Sequence, residues 1–110
     1  WDDWDDFAEK SQAFETAADY GVARITSAAT YRIADMYEEL GRALLDSERP
    51  DSLTGREREE YEALLAEQAA PFARKAIEFH EMNAKQSGDV RTNPWTDRSM
   101  RRLEEMRAPQ

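Results

Sequence analysis

The 110-residue sequence has no cysteine, only one histidine and only four prolines. Without cysteine the chain forms neither a disulfide nor a thiolate metal site, which leaves its compartment open. No apolar run reaches the length that a membrane-spanning helix requires. The sequence also has no excess of basic residues. The net charge of −9 argues against a nucleic-acid partner, because phosphate binding needs a clustered basic surface.

Motifs that carry catalysis or bind cofactors are absent as well. The sequence has no glycine-rich phosphate loop, nucleophile elbow or hydride-cofactor fingerprint. The lone His80 lacks the further ligands of a metal site and the orienting group of a catalytic base. The acidic residues 1–6 lack the spacing and the glycine of a calcium loop. We expect no catalytic, cofactor-binding or metal-binding residue and no enzymatic activity.

What the sequence does contain is helical periodicity, which predicts an all-α fold. The most apolar segment is residues 20–46, where one stripe is flanked by small side chains. Because this segment is apolar on more than one face, we expect it at the centre of an antiparallel helical bundle. The stripe consists of Val22, Ile25, Ala29, Ile33, Met36, Leu40 and Leu44.

The helix boundaries follow from capping and breaking residues. Gly21 separates the first two predicted helices, because glycine commonly ends a helix in a left-handed cap. Ser87 and Gly88 end the third for the same reason. The four predicted helices are residues 3–18, 22–47, 55–86 and 94–107.

Two helix starts and one bend are predicted from single residues. Thr54 and Glu57 match a capping box, and Asn93 before Pro94 is a typical helix start. The apolar phase of the third helix continues through Pro71. We therefore expect one long helix that is kinked at Pro71.

Aromatic rings give the best indication of a binding surface. Tyrosine and tryptophan are enriched at interaction hot spots, but they also fill the edges of cores, and both interpretations stay open. Tyr31 and Arg32 lie off the main stripe and are expected to be exposed. Together with Tyr37 they are the candidate partner-binding residues.

Charge is unevenly distributed along the chain. Residues 1–20 carry a net charge of −6 and residues 87–110 a net charge of +1. These segments are either two solvated surfaces or an acidic head and a basic tail that attract each other, within the fold or between two copies.

Residues 31–45 resemble the first helix of a tetratricopeptide (TPR) repeat, with Ile33, Ala34 and Tyr37 at the Leu, Gly and Tyr positions of that motif. Residues 14–106 as a whole are similar to the C-terminal region of large TPR-rich proteins of Gram-negative bacteria. The resemblance implies helical hairpins that cap a solenoid and act as a protein–protein scaffold. It also suggests a location in the bacterial cell envelope or periplasm.

We therefore expect a single TPR-like α-helical domain over residues 1–110. Because it starts at Trp1, we take it as part of a longer chain. The expected function is a non-enzymatic interaction or solenoid-capping domain that binds a protein or peptide. The alternatives are a structural self-association module that forms a homodimer and an accessory helical subdomain of a larger enzyme. No cofactor, nucleic acid or direct membrane insertion is expected.

Overall fold

The computed structural model describes residues 2–86 and 93–108. Three α-helices follow one another in the order α1 (Asp2–Leu45), α2 (Gly55–Ala84) and α3 (Pro94–Arg107). Within the described ranges there is no β-strand. The all-α prediction is confirmed, but the number of helices is three instead of four.

The predicted break at Gly21 is wrong, because α1 passes through this residue and continues for 44 residues. No glycine in the described ranges has a positive φ, so none forms a left-handed cap. A glycine inside a helix costs only about 1 kcal/mol relative to alanine. A turn at Gly21 would break several helical hydrogen bonds. No other part of the chain packs there to compensate for that loss, since a Cβ added at Gly21 would have no atom within 4 Å.

The starts of α2 and α3 are at the predicted residues. The N–H of Glu57 donates to the hydroxyl oxygen of Thr54 at 3.4 Å, and that hydroxyl donates to the Glu57 carboxylate at 3.0 Å. Asn93 precedes Pro94 at the start of α3, but its side chain makes no capping hydrogen bond. Helix α3 ends at Arg107, as predicted.

Helix α2 is continuous through Pro71, which confirms one long helix over this segment. Pro71 is exposed, so water can hydrate the backbone carbonyl that its missing N–H leaves free. The helix ends at Ala84, two residues before the predicted end. The expected stop at Ser87 and Gly88 lies outside the described residues, and the kink at Pro71 stays a prediction.

Helices α1 and α2 form an antiparallel hairpin through a seam of small residues. Ser27, Ala34 and Gly41 are buried and recur every seven residues along α1. At Gly41 a Cβ would lie 3.3 Å from the Cβ of Phe72, which is closer than ordinary van der Waals contact. The apolar core is small and consists of Ala34, Leu65, Ala69, Ala76 and Leu103.

Arg49 holds the connection between α1 and α2. Its guanidinium donates to both carboxylate oxygens of Glu62, at 2.6 and 2.9 Å, and to the carbonyl oxygens of Leu45 and Ser47. The hydrogen bond from Arg49 lowers the pKa of Glu62 below its ordinary value. Because this ion pair is near the surface, it fixes the path of the loop more than it stabilises the fold.

The first half of α1 extends beyond the three-helix packing. Residues 3–22 are exposed apart from the half-buried Ser11. The molecule measures 84 × 24 × 15 Å and has a radius of gyration of 22.0 Å. A compact chain of this length would have a radius of gyration of about 13 Å. The protein is therefore a short helical hairpin with a long helical extension.

Candidate functional site

Of the three candidate partner-binding residues, Tyr31 and Arg32 lie beside Trp95. The Tyr31 ring is half-buried, with its centroid 5.1 Å from that of His80 and 5.4 Å from that of Trp95. The expectation that Tyr31 is exposed is therefore wrong: the ring packs where α1, α2 and α3 meet. Arg32 is exposed, as expected, and its guanidinium carbon lies 5.7 Å from the Trp95 ring centroid.

Tyr37 packs between α1 and α2 and does not lie with the other two residues. Its ring stacks on Phe79 with centroids 5.7 Å apart and lies 6.3 Å from Phe72. Both tyrosines thus contribute to the internal packing of the helices. Contact of Tyr31, Arg32 or Tyr37 with a partner stays a prediction.

A buried polar cluster occupies the centre of the three-helix packing. Asn83 places its side-chain amide nitrogen 3.1 Å from the Ser27 carbonyl oxygen, 3.3 Å from the Trp95 carbonyl oxygen and 2.8 Å from the Ser99 hydroxyl. These acceptors belong to α1 and α3, so one side chain of α2 joins all three helices. Since the side chains of the cluster are nearly fully buried, each bond holds the helices in register.

His80 extends this cluster through Ser99. Its Nδ1 lies 3.0 Å from the Ser99 hydroxyl oxygen, which already accepts from Asn83. Because a hydroxyl group has one donor and two acceptor positions, this hydrogen bond is compatible with either tautomer of the neutral ring. Burial lowers the pKa of His80, and the negative charge of Asp35 opposes that shift.

The Ser99–His80 pair resembles the nucleophile and base of a hydrolase, but its environment does not suit that chemistry. Ser99 is 0% exposed and His80 is 1% exposed, so no substrate reaches the pair in this conformation. Within the described ranges, Nε2 of His80 has no hydrogen-bond partner that could orient the ring. The pair connects α2 to α3.

Asn93 completes the cluster at the start of α3. Its side-chain amide donates to the Ser27 hydroxyl at 2.8 Å, and that hydroxyl lies 3.2 Å from Oε1 of Gln86. The side chain of Asn93 is thus turned into the core and ties α3 to α1. The helical periodicity of residues 55–86 and 94–107 predicts inner faces that include Asn83 and Ser99. Ser27 and Asn93 carry no sequence signal for this contact.

A groove of about 640 Å³ lies where α1, α2 and the end of α3 meet. It exists because the facing residues, among them Gly41, Ala69 and Ala73, are small. Arg102 pairs with Glu38 at one side of the groove.

The largest feature without an internal role is an apolar surface on α1, which we name the α1 stripe. Its spacing of four, three and four residues repeats every eleven residues and continues in phase through Gly21. Seven of its large side chains are exposed, from 36% at Ile33 to 77% at Phe14. The α1 stripe consists of Phe7, Ser11, Phe14, Ala18, Val22, Ile25, Ala29, Ile33, Met36, Leu40 and Leu44.

The α1 stripe is turned away from the small-residue seam of α1. At 3.6 residues per turn, the centre of the stripe is about 165° around the helix from Ser27, about 145° from Ala34 and about 125° from Gly41. Its central segment was expected in the middle of a bundle, and this expectation is wrong. Small side chains allow α2 to approach closely, so α2 packs on the seam and the large side chains face outward.

The fold is an all-α, three-helix arrangement with an amphipathic extension. No family model, curated protein or solved structure matches the chain. Over residues 2–86 and 93–108, no three His, Cys, Asp or Glu side chains are grouped as metal ligands. No helix in the same ranges is both long and apolar enough to span a membrane.

Proposed function

We propose that this protein is a non-enzymatic protein-interaction module and that the α1 stripe is its contact surface. The observation that carries the proposal is a row of seven large, exposed apolar side chains from Phe7 to Leu40, in which the small residues Ser11, Ala18 and Ala29 are interspersed. At 1.5 Å per residue this row is about 50 Å long. Apolar patches larger than a few hundred Å² on a protein surface usually mark interaction sites.

The isolated extension supports the same proposal. Residues 3–22 make almost no buried contact with the rest of the molecule. An isolated helix of about 20 residues is only marginally stable in water. A partner that covers Phe7, Phe14 and Val22 would supply the tertiary packing that this part of α1 lacks.

The resemblance to TPR proteins supports a narrower form of this function, the capping of a solenoid in the cell envelope. In that case the α1 stripe would cover the apolar end of the last repeat. The acidic residues beside the stripe at the start of α1 suit the polar outer surface that a cap requires.

Photo-crosslinking in the producing cell tests the contact surface. A photoreactive amino acid replaces Phe14 in one variant and Thr16 in a matched control. Two residues along a helix turn by about 200°, so Thr16 faces away from the stripe. We expect a crosslink to a protein from position 14 and none from position 16. Equal crosslinking from both positions, or none from either, contradicts the proposal.

A further inference from the structure

We propose that the occupant of the α1 stripe is the same stripe of a second copy of this chain, packed in antiparallel orientation. This inference rests on the proposed function and specifies its partner. The spacing of the stripe is symmetric about the bond between Ala23 and Arg24. In an antiparallel pair with this centre, the facing stripe residues have numbers that add to 47. The facing pairs are Phe7–Leu40, Ser11–Met36, Phe14–Ile33, Ala18–Ala29 and Val22–Ile25.

Side-chain size is matched in this register. Phe14 faces Ile33, Val22 faces Ile25, and the small Ala18 faces the small Ala29. Large pairs on both sides of a small pair allow two helices to interdigitate along their length. A symmetric dimer also requires one surface that is complementary to itself. The α1 stripe meets this requirement, because in the antiparallel register each of its residues from Phe7 to Leu40 faces another stripe residue.

The apolar area is sufficient for a stable dimer. Seven large stripe side chains are between 36% and 77% exposed. From the usual areas of such side chains, covering them buries about 700 Å² per copy, close to the roughly 800 Å² per partner of a standard interface.

Charge favours the antiparallel orientation over the parallel one. Residues 1–20 have a net charge of −6. Parallel pairing would place two such segments side by side, where like charges repel. Antiparallel pairing puts each acidic segment next to the second half of the other copy's α1, residues 24–45, where three arginines and three acidic residues give a net charge of zero. The repulsion between the two copies is therefore weaker in the antiparallel orientation.

The remaining helices leave space for the second copy. Ala34 and Gly41, where α2 packs on α1, lie about 145° and about 125° around the helix from the centre of the stripe. Trp95 of α3 lies beside Ile25, which is nevertheless 73% exposed. An eleven-residue repeat corresponds to 3.67 residues per turn, close to the 3.6 of a straight helix. Two such helices remain in contact over a long distance with little supercoiling.

Sedimentation equilibrium of the full chain tests the dimer. We expect twice the monomer mass for the wild type, with a dissociation constant that high salt does not increase, because the contact is apolar. Ile25→Glu should weaken dimerisation about 100-fold or more, since it buries an unpaired charge. Thr16→Glu adds the same charge away from the stripe and should leave the dimer intact. A monomeric wild type, or a dimer unaffected by Ile25→Glu, overturns the inference.

Disulfide trapping tests the orientation, since the native chain has no cysteine. Ala18→Cys and Ala29→Cys are prepared as single variants and mixed in a glutathione buffer. We expect the mixed disulfide between positions 18 and 29. Two copies of position 18 would be about 16 Å apart along the axis, which is beyond disulfide reach. Homotypic disulfides, or none, overturn the antiparallel dimer.

The crosslinking experiment distinguishes failure of this inference from failure of the proposed function. A crosslink from position 14 to position 33 or its neighbours in a second copy supports the dimer. A crosslink from position 14 to a different protein keeps the interaction function and overturns self-association. No crosslink from that position overturns both.

Discussion

The side-chain amide of Asn83 donates to the backbone carbonyl oxygen of Ser27 at 3.1 Å, across 56 positions of the sequence. The same amide reaches the Trp95 carbonyl oxygen and the Ser99 hydroxyl. Among residues 2–86 and 93–108, the largest fully buried side chains are those of His80 and Asn83, and both are polar. Their hydrogen bonds define how the three helices fit together, while the apolar core around Ala34 and Ala76 is small.

Asn83→Asp should destabilise the protein strongly. The substitution keeps the shape of the side chain but replaces the amide donor with a carboxyl oxygen that faces the carbonyl oxygens of Ser27 and Trp95. We expect a loss of about 2–4 kcal/mol in the free energy of unfolding, measured with urea, because a buried carboxyl group is then surrounded by acceptors. Gln68→Glu makes the same amide-to-acid change at an exposed position of α2 and should cost little. Equal effects of the two variants contradict the role assigned to Asn83.

The stability of the protein should fall as the pH decreases below the ordinary histidine pKa. Burial lowers the pKa of His80 in the folded state from 6.5, so the unfolded chain binds a proton at a higher pH than the folded one. The His80 contribution is complete above the unfolded pKa and is lost as the pH falls from about 6.5 towards the lowered value.

Urea unfolding at a series of pH values between about 5 and 7 measures this effect, because His80 is the one side chain in the chain with an ordinary pKa in that interval. The His80→Asn variant keeps an acceptor near Ser99 but does not titrate. It should be less stable than the wild type and nearly independent of pH in this range. A wild type whose stability is flat, or a variant with the same slope, contradicts the assignment.

Gly41→Ala and Gly21→Ala should have different effects although both are in α1. Each replacement gains about 1 kcal/mol of helix propensity. At Gly21 the new methyl group meets no atom within 4 Å, whereas at Gly41 it lies 3.3 Å from the Cβ of Phe72. We expect Gly41→Ala to be about 1–3 kcal/mol less stable than Gly21→Ala by thermal or urea unfolding, because the seam is overpacked. Equal stabilisation would mean that α2 moves away without cost.

Tyr37→Ala should destabilise the hairpin between α1 and α2. The Tyr37 ring stacks on Phe79 and contacts the region of Phe72, so its removal leaves a gap between the helices. We expect a loss of about 1–3 kcal/mol in the free energy of unfolding. Tyr20→Ala, at an exposed tyrosine of the extension, should change stability by about 0.5 kcal/mol or less. The reverse order would show that Tyr37 contributes little to packing.

Local signals made the boundaries of α2 and α3 predictable. The Thr54 hydroxyl accepts from the backbone N–H of Glu57 at the start of α2, and Pro94 suits the first turn of α3 in any tertiary context. Gly21 alone does not show whether a helix ends there, because glycine is found both at helix ends and inside helices. The eleven-residue phase across Gly21 is the sequence feature that indicates one continuous α1.

The face on which α1 packs could not be predicted from periodicity alone. Periodicity identifies an apolar side of a helix but does not show which side finds a partner within the chain. In this protein Ala34 and Gly41 allow a close approach by α2, and that contact leaves Ile25 and Met36 exposed. The polar cluster could not be predicted from the sequence either, because Ser27 looks like any other small residue beside an apolar stripe.

The seam and the α1 stripe lie on different sides of α1. Selection for folding and selection for recognition would therefore act on different residues of one helix. Substitutions at Ser27, Ala34 or Gly41 should alter folding of the monomer, whereas under the proposed function those at Phe14 or Ile25 would alter recognition. Because Phe14 lies about 20 Å or more along α1 from the three seam residues, its energetic effects and theirs should be additive. New binding specificities can thus be engineered into α1, or arise in evolution, without loss of the scaffold that presents them.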